Sequence, residues 1–375
     1  MIRSDLKGEG VILARTLTTR WEATAPVAAL IVFALAWHRD LPGIAVAVVA
    51  MFLGAAILAA VHHAEVIAHR VGEPYGSLVL AVAVTVIEVA LIVTLVTAGT
   101  KGSETLARDT VFAAVMITCN GVVGISLLAA TRKGQVAHFN AEGTGAALAT
   151  VGTVVTLCLV LPTFTTGRSG PEFTPAQLGF AAVAALGLYA LFVAMQTVRH
   201  RDYFLPTRSD GSLVPEDEHA VPPSDRAAWA SVGFLLVALV AVVGNAKNVS
   251  PAIERGVDAA GMPQAVVGVV IALLILLPET LAAARAASRK RVQISLNLAY
   301  GSAMASIGLT IPVIAIAQIW LDGPLVLGLG PTEMVLLALT LITSVLTVVP
   351  GRATLLQGAI HLSILGSFLF LAASP

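Results

Sequence analysis

From Gly76 to Gly99 the chain carries a single charged side chain, Glu88, set among Val, Leu, Ala, Ile and Thr. A run of this length exceeds the roughly 20 apolar residues that a helix needs to cross a bilayer. In lipid, every backbone N–H and C=O must be satisfied internally, which leaves helices or closed barrels. A membrane strand needs only about 10 residues, so the length selects a helix. Ten further apolar runs follow the same logic: Thr24–Trp37, Gly43–Val61, Thr110–Ala130, Gly143–Thr163, Thr174–Val198, Ala227–Gly244, Pro263–Ala287, Val292–Trp320, Pro331–Val349 and Ala353–Ala373. Only 12% of the residues are charged, about half the share in a soluble domain. The expectation is an all-α polytopic membrane protein with about eleven transmembrane helices. The balanced charge and lack of a basic stripe argue against nucleic acid. Cys119 and Cys158 sit inside apolar runs and read as reduced packing residues. Arg3, Lys7, Arg15 and Arg20 precede a first run with no small-residue cleavage site, which predicts a retained helix rather than a signal peptide.

Lys and Arg set the orientation. With the N-terminus inside, 16 of the 22 basic residues fall on inner segments, among them Arg132, Lys133, Arg199, Arg201 and the Arg285–Arg291 cluster. That predicts a cytoplasmic N-terminus and an external C-terminus. The one long polar segment, Arg199–Arg226, holds Asp210, Glu216, Asp217, Glu218 and four prolines, and reads as a cytoplasmic loop. It divides the chain into an N-terminal segment with the first helix (1–42), a five-helix set (43–198), the loop (199–226) and a second five-helix set (227–375). An odd number of spans per set turns the second set upside down, and inverted repeats are a transporter architecture. Glu88 and Glu279 lie in the second helix of their respective sets. The next helix in each carries a related pattern, Val123-Gly-Ile-Ser-Leu127 and Ile307-Gly-Leu-Thr-Ile311.

Of the 22 acidic residues, only Glu88 and Glu279 fall well inside apolar runs. An ionisable group at membrane depth is expensive and marks a site by default, and inverted-repeat folds keep their sites at the midplane. A pair of carboxylates suits a hard cation such as calcium, which takes six to eight oxygens. The same pair holds protons when the cation leaves, which is the least an exchanger requires. Pro278 removes a helix N–H beside Glu279 and so frees a carbonyl. Thr85, one turn before Glu88, together with Asn120, Ser302 and Ser306, supplies further oxygens for a ligand set or pathway; Ser126 and Thr310 are also in reach. The plainer alternative makes each Glu a protonated carboxyl bonded to a neighbouring helix and each Ser or Thr a packing residue.

His62, His63, Glu65, His69 and Glu73 gather at the end of the second run. They read as a cytoplasmic mouth with a pH-sensing role, or as a solvated helix end. His361 is the only histidine deep inside a run, and reads as a satisfied core residue or a proton relay.

The run Ala64-Glu-Val-Ile-Ala-His-Arg-Val-Gly-Glu-Pro-Tyr-Gly-Ser-Leu78, with Val84-Thr-Val-Ile-Glu-Val-Ala-Leu-Ile92, Leu277-Pro-Glu-Thr-Leu-Ala-Ala283, Ser295-Leu-Asn-Leu-Ala-Tyr-Gly-Ser302 and Gly308-Leu-Thr-Ile-Pro312, resembles the ChaA-type bacterial calcium (sodium, potassium)/proton antiporters of the calcium/cation antiporter superfamily. The resemblance runs from about His62 to His361. It implies eleven helices with inverted five-helix repeats, a central cation site on Glu88 and Glu279, and a place in the bacterial inner membrane. The usual Gly-Asn-x-x-Glu of that superfamily stands here as Val84-Thr-Val-Ile-Glu88 and Ile275-Leu-Leu-Pro-Glu279, and its usual Gln is Ala305. Fewer amide oxygens imply looser selection, with Na⁺ or K⁺ beside Ca²⁺.

The expected function is therefore exchange of cytoplasmic cations for protons, without a cofactor and without enzymatic chemistry. The expected partners are the bilayer, inorganic cations and protons, and the sequence leaves room for a homo-oligomer. Two readings of other classes stay open at this point. One is an intramembrane metal hydrolase on His62, His63 and His69; the other is a cation channel.

Overall fold

Many of the apolar runs are rich in Val and Ile, which favour strands in water. In lipid, backbone self-satisfaction outweighs that preference, and all the runs fold as helices. A computed structural model of the chain describes residues 21–37, 39, 41–72, 75–97, 103–132, 134, 136–206, 223–320 and 323–374. Among these residues there are eleven helical segments. They are α1 (Trp21–Ala36), α2 (Gly43–Val71), α3 (Tyr75–Thr97), α4 (Glu104–Thr131), α5 (Ala141–Phe164), α6 (Pro175–Arg199), α7 (Asp225–Ala259), α8 (Ala265–Ser288), α9 (Val292–Ala317), α10 (Pro331–Val348) and α11 (Leu355–Ala373). Helix starts follow ordinary capping chemistry. Asn140 accepts from the N–H groups of Glu142 and Gly143, and Thr174 with Gln177 closes a capping box on α6.

Three helices run longer than hydropathy predicts. α4 begins at Glu104 rather than Thr110. α2 continues past Val61 through the histidines to Val71. α7 continues past Gly244 to Ala259, so Lys247 and Arg255, expected in an outer loop, lie on the helix. At the start of the polar extension of α7, Asn245 Nδ2 donates to the Ala29 carbonyl at 2.9 Å and to the Ala241 carbonyl at 2.8 Å. Hydropathy registers the loss of apolar character there, not the loss of helix.

The described residues fall into two compact units, one within Met1–Ala83 and Val221–Ala252, the other within Val84–Ala220 and Ile253–Pro375. In the first unit, α1 packs on α2. Phe33 lies so close to Gly244 of α7 that a Cβ there would collide with its ring. Arg70 reaches Asp225 through Nε at 2.7 Å and through a second guanidinium nitrogen.

The second unit is built around α4 and α9. These are the most enclosed of the candidate spans, with 89% and 67% of their apolar windows buried. Leu127, Met304, Ile307 and Ile311 are fully enclosed there. The contacts of this unit repeat when α4, α5 and α6 are matched to α9, α10 and α11. Gly124 of α4 fits against Leu362 and the Gly358 carbonyl of α11, and Gly308 of α9 fits against Tyr189 and the Ala185 carbonyl of α6. In both places a Cβ would come within 2.9 Å of the facing side chain. The short strands match as well. Strand β1 (Ala137–His138) joins the α4–α5 connection to β2 (Arg352–Ala353) in the α10–α11 connection. An isolated bridge, Glu172 to Val326, joins the α5–α6 connection to the α9–α10 connection. Exchanging the two sets turns one pairing into the other, at the opposite end of the helices. This is the geometry of an inverted repeat, and the glycines that carry it are those of the two related sequence patterns.

π-helical turns break the match. α4 contains one at Ile117–Val122, α5 one at Thr156–Val160 and α6 one at Met195–Arg199, whereas α9, α10 and α11 are α-helical throughout. The Val123 N–H bonds Thr118 and Asn120 instead of Cys119, so the Cys119 carbonyl leaves the helical ladder.

Candidate functional site

Glu88 lies midway along α3 and is 4% exposed. Its Oε1 accepts a hydrogen bond from Ser306 Oγ of α9 at 2.7 Å. Thr310 lies one turn further along α9 and is buried. Ser302, Ser306 and Thr310 are spaced by four residues, so they share one stripe of α9; Ser302 is half-buried and the other two are buried. Thr85 is buried one turn before Glu88. The structure thus joins Glu88 to the hydroxyl stripe of a helix from the other sequence half. Sequence reasoning ranks Ser306 among several hydroxyls and does not tell which one reaches the carboxylate.

Glu279 lies on α8 and is 8% exposed. Pro278, half-buried, supplies no N–H, so the Leu274 carbonyl has lost its helical partner. Thr280 bonds back to the Leu276 carbonyl at 2.7 Å. α8 packs on α4, including its π-turn, and on α9. α9 is therefore the common neighbour, lying against the helix of Glu279 and giving Ser306 to Glu88. Under the repeat match, Ser306 corresponds to Val122 and Thr310 to Ser126. Ser126 already accepts from Ser295 at 2.5 Å. A carboxylate removed from water needs a proton, a cation or strong donors, and at Glu88 the donors are hydroxyls that can turn toward or away from a bound ion.

Asn120 belongs elsewhere. Its Nδ2 donates to Thr340 Oγ1 at 2.9 Å, and its Oδ1 faces His361 Nδ1 at 3.2 Å. His361 Nε2 faces Thr347 Oγ1 at 3.1 Å. Thr340 and Thr347 are two turns apart on one face of α10, the only sequence signal that foretells their shared task. Sequence reasoning also misses Asp109, assigned to a helix end. It lies on α4 with its side chain 10% exposed, held by Arg108 at 2.8 Å and by Thr105 at 2.8 Å. The adjacent opposite charges mask its burial.

In the other unit, the histidine group does not form one centre. His63 is buried, with Nδ1 at 3.2 Å from Ser231 Oγ, Nε2 at 3.0 Å from the Glu22 carbonyl, and its ring stacked on Phe234. His62 meets the Glu22 carboxylate at 3.2 Å. Glu65 and His69 are exposed, and Glu73 lies outside the described residues. The ring nitrogens of His63 are used in packing α2 against its neighbours, so the hydrolase reading loses one of its three metal ligands.

Comparison with known proteins agrees with these features. Residues 41–198 and 230–373 match the family described as sodium/calcium exchanger protein. The chain is 44% identical to the putative ionic transporter y4hA of Sinorhizobium fredii (strain NBRC 101917 / NGR234) over 95% of its length and 96% of the relative. It is 34% identical to the sodium-potassium/proton antiporter ChaA of Escherichia coli (strain K12), over 82% and 83% of the two chains. Among solved structures, native YfkE superposes with a TM-score of 0.70 at 16% identity, covering 94% of this chain and 98% of the other. The H⁺/Ca²⁺ exchanger CAX does so with a TM-score of 0.66 at 14% identity, covering 94% and 91%. The structural matches establish the fold, and the named relatives are transporters rather than enzymes.

Proposed function

Because the chain belongs to the sodium/calcium exchanger family, we propose that it is a cation/proton antiporter whose exchange site is built on Glu88 and Glu279. The transported ion is a substrate, Ca²⁺ or a monovalent cation, leaving the cytoplasm as protons enter. The bond from Ser306 to Glu88 carries this reading. It ties an intramembrane carboxylate of one repeat to a hydroxyl stripe of the other, where motion between repeats can open and close a site. Glu279 supplies the second carboxylate, and Pro278 leaves the Leu274 carbonyl without a helical partner nearby. The chain lacks the Asn of the superfamily motif at both glutamates, which favours broad selection. The name of the E. coli relative, a sodium-potassium/proton antiporter, agrees with that breadth.

In the proposed cycle, the ionised carboxylates hold the cation while the Ser306 and Thr310 hydroxyls orient Glu88. Two protons, or one, replace the cation on the far side, and the protonated site returns. The charge bias supports a cytoplasmic N-terminus. The test is purified protein in liposomes under an imposed pH gradient, with interior dyes for Ca²⁺, Na⁺ and K⁺. Uptake of at least one cation that collapses with the gradient is expected. Flux indifferent to the gradient would replace the antiporter with a channel.

A further inference from the structure

The buried network around His361 has no counterpart in the other half of the repeat. By the match of Gly124 with Gly308, Asn120 corresponds to Met304. By the match of Gly358 and Leu362 with Ala185 and Tyr189, His361 corresponds to Leu188. The equivalent helix α9 is α-helical throughout with Met304 at that position. The fold of such a half therefore does not require the polar group, although Asn120, Thr340 and His361 are completely enclosed. Burying three polar side chains in a membrane helix bundle is costly unless each is satisfied.

They are satisfied around the π-turn. The turn releases the Cys119 carbonyl from the helical ladder, and the imidazole of His361 lies against that carbonyl. His361 Nδ1 donates to Asn120 Oδ1, Asn120 Nδ2 donates to Thr340 Oγ1, and Thr347 Oγ1 donates to His361 Nε2. This assignment uses the Nδ1–H tautomer, the one in which every one of these bonds has a donor and an acceptor. Thr340 in turn reaches the Met116 sulfur at 3.5 Å, at the start of the turn. This network thus ties the start and the middle of the distorted segment to α10 and α11. That segment packs directly on α8, which carries Glu279, and on α9, which carries Ser306.

We infer that His361 is a positioning residue for the exchange site: through Asn120 and the freed Cys119 carbonyl it fixes the π-turn of α4, and the fixed turn sets the cation affinity of the carboxylate pair. The inference about affinity rests on the antiporter reading; the anchoring of the turn does not.

The experiment compares His361→Asn with His361→Gln in the full chain. Asn places its amide where Nδ1 stands and keeps the link to Asn120. Gln reaches toward the position of Nε2 and keeps only the link to Thr347. Two quantities are read: amide hydrogen exchange of the 117–123 segment in detergent, and apparent Ca²⁺, Na⁺ and K⁺ affinity in liposomes. The Asn variant should match the parent chain in both. The Gln variant should exchange faster across 117–123 and bind the transported cation roughly two- to thirtyfold more weakly, with a smaller change in maximal rate. Equal behaviour of the two variants, whether both intact or both impaired, would overturn the proposal. If the Gln variant does not fold, Thr340→Val, which keeps the shape and removes the acceptor for Asn120, must loosen 117–123; unchanged protection there would also overturn it. If the parent chain exchanges no cation, the antiporter reading fails, and amide exchange alone decides whether His361 anchors the turn.

Discussion

Ser306 of α9 donates its hydroxyl proton to Glu88 of α3 over 2.7 Å, across 218 residues of sequence. The bond is intramembrane and charge-assisted whenever Glu88 is ionised, and such bonds are the strong ones. It stabilises ionised Glu88, the form that accepts a cation in the proposed cycle.

Removing that donor should cost affinity. A hydrogen bond to a charged group is worth about 1.5–3 kcal/mol, so Ser306→Ala should weaken apparent cation affinity about tenfold or more. Ser306→Thr keeps the hydroxyl and should lie close to the parent chain. Dye-based uptake in liposomes measures both, and an Ala variant of unchanged affinity would detach Ser306 from the site.

Glu88→Gln and Glu279→Gln should each abolish exchange with little effect on folding. Gln preserves the volume of the buried side chain and removes the charge that the proposed site uses to bind the ion. Monodisperse, thermally stable variants with no gradient-driven uptake are expected. Transport near that of the parent chain in either variant would exclude that residue.

Affinity should depend on pH in a defined direction. In the proposed cycle protons and cation compete for the same carboxylates, so lowering the pH should fill the site with protons and weaken cation binding. Raising the pH strengthens it until neither carboxylate holds a proton, after which affinity levels off. The slope of log affinity against pH should approach about two if both carboxylates release a proton, and about one if only one does. Calorimetry in detergent across neutral and alkaline pH measures the slope, and a flat profile would mean that protons do not share the site.

The glycine contacts carry stability. A methyl group at Gly308 would meet Tyr189 at 2.7 Å, and one at Gly124 would meet Leu362 at 2.8 Å. Gly308→Ala and Gly124→Ala should each cost about 1–3 kcal/mol through overpacking. Gly179→Ala, with nothing within 4 Å, should be neutral or slightly stabilising. Thermal unfolding in detergent separates the three.

The helices, and the two carboxylates within them, are legible in hydropathy and charge alone, because lipid imposes a long uncharged run on each span. Glu88 and Glu279 stand out for the same reason. The partnership of Glu88 with Ser306 is not legible among several hydroxyls on following helices, since a periodic pattern names a face and not a contact. Asn120 illustrates the same limit from the other side: a polar residue beside the site by sequence, it turns toward His361, 241 positions away. The extension of α7 is hidden because its last turns are polar. The π-turn is hidden because Ile117–Val122 has no residue that marks it; the distortion shows only in which carbonyl Val123 reaches.

That turn also bears on energetics between states. If a transporter consisted of two identical inverted halves, exchanging them would convert the inward-facing form into the outward-facing one, and the two would have equal free energy. Here the exchange would lay the π-turn of α4 on the regular α-helical turns of α9, and Asn120 on Met304. The operation no longer returns the same molecule. In the proposed cycle the two facings are therefore unequal in free energy even with no ion gradient present, and helical turns found in one half alone help to give that cycle a resting side.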